Sequence, residues 1–258
     1  MEIYLVNLLV VAGLMVVVWI ASLALRDASI VDPVWGLAFV AIAWTTFLQV
    51  GGPTDAPVRA TLLVALVTIW GLRLAAYLFW RKAGMEEDYR YVRMRERFGA
   101  SFWWTSLFVV FLLQAGLAWI VSFPVQAGQV PVTPLGPLDA IGIGLWVTGL
   151  AFETVGDLQL ARFKADPANR GRVLDRGLWR YTRHPNYFGD FLVWWGLFAI
   201  AAAAGAWWTV FGPVLMSVLL LRVSGVALLE RTIAERRPGY EAYVRRTSAF
   251  FPRPPRRD

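Results

Sequence analysis

The chain has 258 residues, of which 58% are hydrophobic and 17% are charged, and its net charge is +7. A soluble protein carries about a quarter charged residues, so this composition is typical of a membrane protein. The lack of Cys excludes disulfides, thiolate catalysis and Cys-based zinc sites, and a single His excludes a His-rich metal site. Because the basic residues lie in loops between apolar runs, we expect them to set membrane topology rather than to bind nucleic acid.

Seven apolar runs approach the length of about 20 residues that a helix needs to cross the hydrocarbon of a bilayer. The first run lacks a basic segment before it and is long for a signal peptide, so we interpret it as a retained helix. The sequence therefore predicts an all-α integral membrane protein with about seven transmembrane helices in a single domain, 1–258. The runs lie near 3–25, 33–50, 60–80, 102–123, 138–160, 185–204 and 207–229.

The basic residues are distributed unevenly between the connectors. Segments 81–100, 161–184 and the tail from 230 carry six, seven and eight of the 25 Lys and Arg residues. Each of these segments follows an odd-numbered helix, whereas the Pro- and Gly-rich connectors 51–59 and 124–137 carry only Arg59. By the positive-inside rule, this pattern predicts an N-terminus outside and a cytoplasmic C-terminus.

Several ionisable residues fall within the predicted helices, where charge is costly and commonly functional. We interpret them as lining a polar cavity that opens to the cytoplasm. The alternative is that Arg73 or Arg222 pairs with Glu153 or Asp157 merely to hold helices together. Glu153 and Asp157 share a helix face, but too few further ligands lie in reach to predict a metal site. The full set is Asp32, Arg73, Glu153, Asp157, Asp190 and Arg222.

A faint glycine motif precedes the two carboxylates. Gly142, Gly144 and Gly149 resemble a dinucleotide-binding fingerprint, but their spacing is wrong and no strand precedes them. Glycines at such positions in membrane helices allow close approach of a neighbouring helix. We therefore predict a packing role for them.

The stretch GLWRYTRHPNYFGDFLVWW, residues 177–195, closes a basic loop and opens the sixth helix. Pro185 suits the first turn of a helix, where its missing N–H costs little. A helix N-terminus with flanking Arg suits phosphate, although His184 could equally be an ordinary interfacial residue. The polar residues that crowd this end of the predicted cavity are Arg183, His184, Asn186, Tyr187 and Asp190.

The tail LLERTIAERRPGYEAYVRRTSAFFP reads as a helix end, a Pro-Gly turn and a short amphipathic helix. Tyr240 and Tyr243 share one face of that helix. On physical grounds alone it is an interfacial helix on anionic lipid.

The run RYTRHPNYFGD, followed about 40 residues later by LLER, PGY and FFP, resembles the C-terminal half of the steroid 5α-reductase superfamily. SIVDPVWG (29–36) and EDYRYVRMRERFG (87–99) resemble a bacterial branch of unknown function in that superfamily, so the resemblance covers most of the chain. Isoprenylcysteine carboxyl methyltransferases share a similar helix-and-tail module and use S-adenosylmethionine instead.

The resemblance implies a seven-helix reductase of the bacterial inner membrane, with its active site facing the cytoplasm. Such an enzyme transfers hydride from NADPH to an activated double bond, such as the enone of a steroid- or lipid-like substrate. Residues 1–123 would be the substrate-side helices, and residues 138–258 would be the cofactor-binding half. The alternatives are an S-adenosylmethionine-dependent methyltransferase and a non-enzymatic lipid-binding protein.

The resemblance also implies a cofactor site. Asp157 resembles the cofactor-holding Asp of helix five, Glu153 lies at a position that Asn can occupy, and Lys164 falls near a phosphate-binding Arg. Asn186 matches the Asn of the helix-six motif, and Asp190 stands where Glu is common. The predicted cofactor-binding residues are Glu153, Asp157, Lys164, Arg183, His184, Asn186, Tyr187, Asp190, Arg222, Glu230 and Tyr240.

The substrate-holding pair of the family is a Glu early in helix two and a Tyr in helix three. Asp32 can replace the Glu, but no Tyr matches, so Trp70, Arg73 and Tyr77 are all candidates. We predict Asp32, Arg73 and Tyr77 as the catalytic residues. Because Pro33 suits the first position of a helix, Asp32 could instead be only an N-cap.

Overall fold

The computed structural model describes residues 1–223 and 239–256. Within these residues the chain is helical, and strand-like pairing is limited to one parallel bridge between Thr182 and Ser248. π-helices at Leu107–Leu112 and Leu219–Val223 join α6 to α7 and extend α11. The helices are α1 (Glu2–Leu25), α2 (Val31–Gln49), α3 (Gly52–Asp55), α4 (Val58–Lys82), α5 (Tyr89–Phe98), α6 (Phe102–Ser106), α7 (Leu113–Val121), α8 (Phe123–Gly128), α9 (Pro137–Ala165), α10 (Pro185–Ala203), α11 (Phe211–Val218) and α12 (Tyr240–Arg246).

Five helical segments are long and apolar enough to cross a membrane, and they coincide with the first five predicted runs. The fourth begins earlier than predicted because α5 leads into it. The sixth run corresponds to α10, whose first turns are polar. Of the seventh run, the structure describes the apolar helix Trp207–Val223, and residues 224–229 lie outside the described residues. These helices indicate a membrane-embedded, all-helical protein. The five segments are Glu2–Leu25, Ala28–Gln49, Val58–Lys82, Tyr89–Val121 and Pro137–Ala165.

The chain forms two compact units. Unit 1 comprises Met1–Leu135 with Ala201–Thr209, and unit 2 comprises Gly136–Ile200 with Val210–Asp258. In unit 1, α2 and α4 cross at Gly36 and Gly71. A Cβ atom added to either glycine would lie 2.5 or 2.7 Å from the carbonyl oxygen of the other, so only glycine permits this crossing.

The glycines of α9 pack this helix against α10 within unit 2. A Cβ atom on Gly142 would lie 2.7 Å from the carbonyl oxygen of Gly196, and one on Gly149 would lie 2.5 Å from that of Gly189. The predicted packing role is therefore confirmed for Gly142 and Gly149. A Cβ atom on Gly144 would meet nothing within 4 Å, so this glycine takes no part in the crossing.

Candidate functional site

The junction of α9 and α10 brings together two residues that the sequence analysis assigned to one site. The side-chain amide of Asn186 donates a hydrogen bond of 3.1 Å to the Oδ1 atom of Asp157. Gly156 permits this contact, because a Cβ atom there would lie 3.1 Å from the backbone nitrogen of Asn186 and 3.2 Å from the Pro185 ring. The N-terminus of α10 therefore sits directly on α9, beside Asp157.

Two carboxyl groups are buried at this junction. Glu153 lies one turn before Asp157 on α9, and the two residues are 3% and 4% exposed. Gly189 of α10 packs against the backbone of Glu153 so closely that a side chain there would collide with it. Carboxylate oxygens accept hydrogen bonds, so this pair is suited to hold hydroxyl or amide groups.

The loop before α10 is tied to the same part of α9. The indole nitrogen of Trp179 donates a hydrogen bond of 3.1 Å to the carbonyl oxygen of Gly156. At the end of the loop, the ring of His184 is buried and stacks on Tyr187 with 5.6 Å between ring centres and an angle of 5°. The structure therefore gathers His184, Asn186 and Tyr187 at the start of α10, as the motif predicted.

Arg183 holds the C-terminal tail. Its Nη1 atom donates hydrogen bonds of 2.6 Å to the carbonyl oxygen of Thr247 and 3.1 Å to that of Val244. Its backbone nitrogen donates a further hydrogen bond of 2.9 Å to the carbonyl oxygen of Ser248. Since the side chain is only 8% exposed, Arg183 is an anchor for the tail, a role that the sequence analysis did not assign to it.

The aromatic face of the tail helix, α12, also packs on protein. Tyr240 and Tyr243 are 5% and 4% exposed, and the Tyr243 hydroxyl donates a hydrogen bond of 2.5 Å to the carbonyl oxygen of Trp179. This face of α12 therefore packs on the loop that precedes α10, and contact of the helix with anionic lipid stays a prediction.

Between Asp157 and Asn186 in the sequence lie several basic residues, and their side chains are exposed. Phosphate groups are bound by Arg and Lys side chains and by helix N-termini. Unlike Arg183, these residues keep their charge at the surface of unit 2. They are Arg162, Lys164, Arg170, Arg172, Arg176 and Arg180.

Three further residues that the sequence predicts for the cofactor site are Asp190, Arg222 and Glu230. Asp190 lies half-buried one turn after Asn186 in α10. Arg222 is exposed and forms no ion pair with the residues that the structure describes, so the alternative pairing of Arg222 with Glu153 or Asp157 is wrong. Glu230 lies outside the described residues.

A second polar cluster lies in unit 1, around Asp32. The Nη2 atom of Arg90 lies 2.5 Å from Oδ2 of Asp32, and the Tyr91 hydroxyl donates a hydrogen bond of 2.6 Å to Oδ1. Asp88 caps α5 by accepting a hydrogen bond from the Arg90 backbone and also contacts the Arg90 Nε atom at 2.9 Å. Asp32 is therefore a carboxylate that is held by a cation and a phenol.

Tyr91 and Arg90 are not among the residues that the sequence predicts for the site. Tyr91 is 4% exposed and contacts Asp32 from α5, whereas the sequence analysis sought the partner in the third predicted helix. The signal in the sequence is the resemblance of segment 87–99 to the bacterial branch, which by itself indicates no partner for Tyr91 or Arg90. The tyrosine that faces Asp32 is therefore Tyr91.

Asp32 is not the helix cap. Asp27 caps the single 3₁₀ turn Ala28–Ile30, which leads into α2, by accepting a hydrogen bond of 2.9 Å from the Ser29 backbone. Asp32 lies within the first turn of α2. The N-cap alternative is therefore wrong for Asp32, because the helical path begins five residues earlier than the sequence suggested.

Ionic contacts fix this end of unit 1. Lys82 lies 2.7 Å from Asp27, and Arg95 lies 2.9 Å from Glu87. Burial alone would raise the pKa of Asp27, but hydrogen bonds from Lys82 and Ser29 outweigh burial and hold this pKa below its usual value. The pKa of Asp88 is lowered in the same way, since hydrogen bonds from Arg90 outweigh its burial.

The other two predicted catalytic residues contact each other in α4. The guanidinium carbon of Arg73 lies 5.5 Å from the centre of the Tyr77 ring, and that of Arg81 lies 5.6 Å from the same ring. Cations at this distance from an aromatic face are attracted by it. Arg73 and Tyr77 are both half-buried.

The fold and its polar clusters define a helical membrane-embedded protein. The chain belongs to the family described as "Protein of unknown function (DUF1295)", which matches residues 18–247. It is 27% identical over 266 residues to the Schizosaccharomyces pombe (strain 972 / ATCC 24843) protein "Uncharacterized protein C594.04c". That match covers 92% of this chain and 76% of the yeast protein. No solved structure matches the chain.

Proposed function

We propose that this protein is an NADPH-dependent membrane reductase of steroid- or lipid-like enones. The observation that carries the proposal is the contact of Asn186 with Asp157, beside buried Glu153, at the N-terminus of α10. If the pair only held α9 and α10 together, it would need its hydrogen bond but no excess of exposed Arg and Lys residues near it in the sequence. The loop 161–184 supplies that excess next in sequence to the pair.

The residues of unit 2 fit a phosphorylated dinucleotide. Asp157 and Glu153 would accept hydrogen bonds from ribose hydroxyls or from a carboxamide, and Asn186 would donate one. The pyrophosphate and the 2′-phosphate would be held by exposed cations such as Lys164 and by the start of α10. S-adenosylmethionine has no phosphate, so the basic loop favours NADPH over the methyltransferase cofactor.

The cluster in unit 1 fits the acid that an enone reduction requires. When bound, NADPH would supply a hydride to the β-carbon of an enone, whose C=C bond would break as its carbonyl oxygen gains negative charge. A proton from a protein group or water completes the reduction at the α-carbon. The Tyr91 hydroxyl would turn from Asp32 to donate its single proton in a hydrogen bond to that oxygen, and Arg90, which Asp32 holds in place, would stabilise the charge.

Cofactor binding tests the proposal directly. The purified protein in detergent is titrated with NADPH and, separately, with S-adenosylmethionine, and the thermal unfolding midpoint is followed. NADPH should raise the midpoint, and NADPH absorbance should fall when an enone steroid is added. Stabilisation by S-adenosylmethionine alone would support the methyltransferase, and stabilisation by neither would favour a non-enzymatic lipid-binding protein.

We also propose that seven crossings place both polar clusters at the cytoplasmic side of a bacterial inner membrane. The uneven distribution of Lys and Arg supports this topology. Reporter fusions after residues 90, 170 and 250 should then report cytoplasm, and fusions near residues 54 and 130 the outside. Any reversed reporter would contradict the seven-helix scheme.

A further inference from the structure

An open cavity lies between α10 and the end of α11 within unit 2. Its volume is about 520 Å³, which falls in the range of small-molecule sites. Its lining is mainly apolar and ends at a single charged side chain. The lining residues are Phe191, Trp195, Val214, Ser217, Val218, Leu221 and Arg222.

The lining has the regular spacing of two helix faces. Phe191 and Trp195 are one turn apart on α10, and Val214, Val218 and Arg222 follow one another at intervals of four residues. From Val214 to Arg222 the groove runs about 12 Å at 1.5 Å per residue. The groove is therefore elongated, with apolar walls and a cation at one end.

The polar groups in the floor of the groove form hydrogen bonds within the protein. The indole nitrogen of Trp195 donates a hydrogen bond of 3.2 Å to the Ser217 hydroxyl, which itself donates one of 2.7 Å to the Pro213 carbonyl oxygen. Val214 and Val218 are 45% and 44% exposed. Among the described residues that line the groove, an occupant therefore meets mainly hydrocarbon and finds its charged partner at Arg222.

The charged end coincides with an irregular helix segment. Arg222 lies in the π-helix Leu219–Val223, a conformation that is rare and frequent at functional sites. It is exposed and forms no hydrogen bond or ion pair with the described part of the chain, residues 1–223 and 239–256. A cation at the end of an apolar groove is complementary to a ligand that has an anionic group at one end and a hydrocarbon chain.

We propose that this groove binds an anionic phospholipid, with one acyl chain along Phe191, Trp195, Val214 and Val218 and a phosphate oxygen accepting hydrogen bonds from Arg222. Charge complementarity selects the headgroup, and the apolar walls select the chain. The site requires neither a cofactor nor turnover. It therefore goes beyond the proposed reductase function, and it assigns Arg222 to a lipid instead of to the cofactor.

Photocrosslinking in a membrane tests this site. The protein is reconstituted into phosphatidylcholine vesicles that contain a small fraction of phosphatidylglycerol with a diazirine on one acyl chain. Crosslinks should map to both 187–196 and 211–223, and unlabelled phosphatidylglycerol should compete for them. Arg222→Gln should weaken the competition about fivefold, since one basic residue near anionic lipid contributes about 1 kcal/mol.

Two matched variants separate the site from general effects. Arg97→Gln removes an exposed charge from α5, and Val147→Trp adds the same bulk as Val218→Trp at a 52% exposed position of α9. Val218→Trp should fill the groove and abolish the crosslinks to 187–196, whereas both matched variants should crosslink like the wild type. Equal competition by phosphatidylcholine, or unchanged crosslinking in both Arg222→Gln and Val218→Trp, would overturn the proposal.

Discussion

Two of the three basic segments, 81–100 in unit 1 and 161–184 in unit 2, use their charges differently. In unit 1, Lys82, Arg90 and Arg95 contact carboxylates of Asp27, Asp32 and Glu87 at 2.5 to 2.9 Å. In unit 2, most cations of the loop 161–184 are exposed, and the buried one, Arg183, donates to uncharged backbone carbonyls.

The difference separates two functions of positive charge that the positive-inside pattern cannot distinguish. A cation that is paired with a nearby carboxylate fixes the end of a helix. A cation that stays exposed beside buried hydrogen-bond acceptors is suited to an anionic ligand.

Tyr91→Phe removes the hydroxyl that contacts Asp32 and should cause the largest change. Hydride transfer to an enone should fall about 10²-fold or more, the usual loss for one electrostatic donor, while NADPH binding persists. The rate of NADPH oxidation measures the effect. Tyr77→Phe is the matched control, and the assignment of Tyr91 is wrong if Tyr77→Phe loses activity and Tyr91→Phe retains it.

Arg183→Met should destabilise unit 2 by about 3 kcal/mol. The substitution removes charge-assisted hydrogen bonds to the carbonyl oxygens of Val244 and Thr247 and leaves these acceptors without their donor. Thermal or denaturant unfolding in detergent measures the loss. Arg180→Met, at an exposed position in the same loop, should change stability by at most about 0.5 kcal/mol; equal effects would show that Arg183 does not anchor the tail.

Asn186→Ala and Asp157→Ala should each weaken NADPH binding by about 1–3 kcal/mol, the usual cost of leaving a buried polar partner unsatisfied. Because the two side chains are 3.1 Å apart, the double variant should lose less than the sum of the single losses. Titration of folded protein with NADPH measures all three affinities. Wild-type affinity in both single variants would mean that the pair only joins α9 to α10.

The smallest effect should be the acid sensitivity of unit 1. The pKa of Asp27 is lowered by Lys82 and Ser29 despite burial, so its contribution to stability is complete above the unfolded pKa of about 3.9 and is lost as the pH falls through the folded pKa. Lys82→Met should therefore cost less than about 1 kcal/mol at neutral pH. This cost should shrink below about pH 4.

Unfolding midpoints of wild type and Lys82→Met between pH 3 and 7 check this dependence. Arg97→Gln removes an exposed charge and should give a difference from the wild type that does not vary with pH in this way. A cost of Lys82→Met that stays constant down to pH 3 would contradict the role of the ion pair with Asp27.

Local sequence patterns predicted the helices and one of the clusters. Apolar runs determine which segments are helical in a membrane, because each run must satisfy its backbone hydrogen bonds within itself. The glycines of α9 and the start of α10 were recognised because helix crossings and helix starts have local signatures. The juxtaposition of Asp157 and Asn186 followed from the family resemblance together with those signatures.

Only the tertiary structure decided which residue contacts which across long separations in sequence. Tyr91 meets Asp32 because α5 folds back on the start of α2, and Arg183 binds the tail because three carbonyl oxygens of the segment 244–248 converge on it. Neither contact leaves a local pattern in the sequence, because the type of a residue does not indicate which distant residue it contacts. The sequence thus determined the helices and their chemistry, whereas packing decided which cations contact the buried or half-buried carboxylates and which lie at the surface.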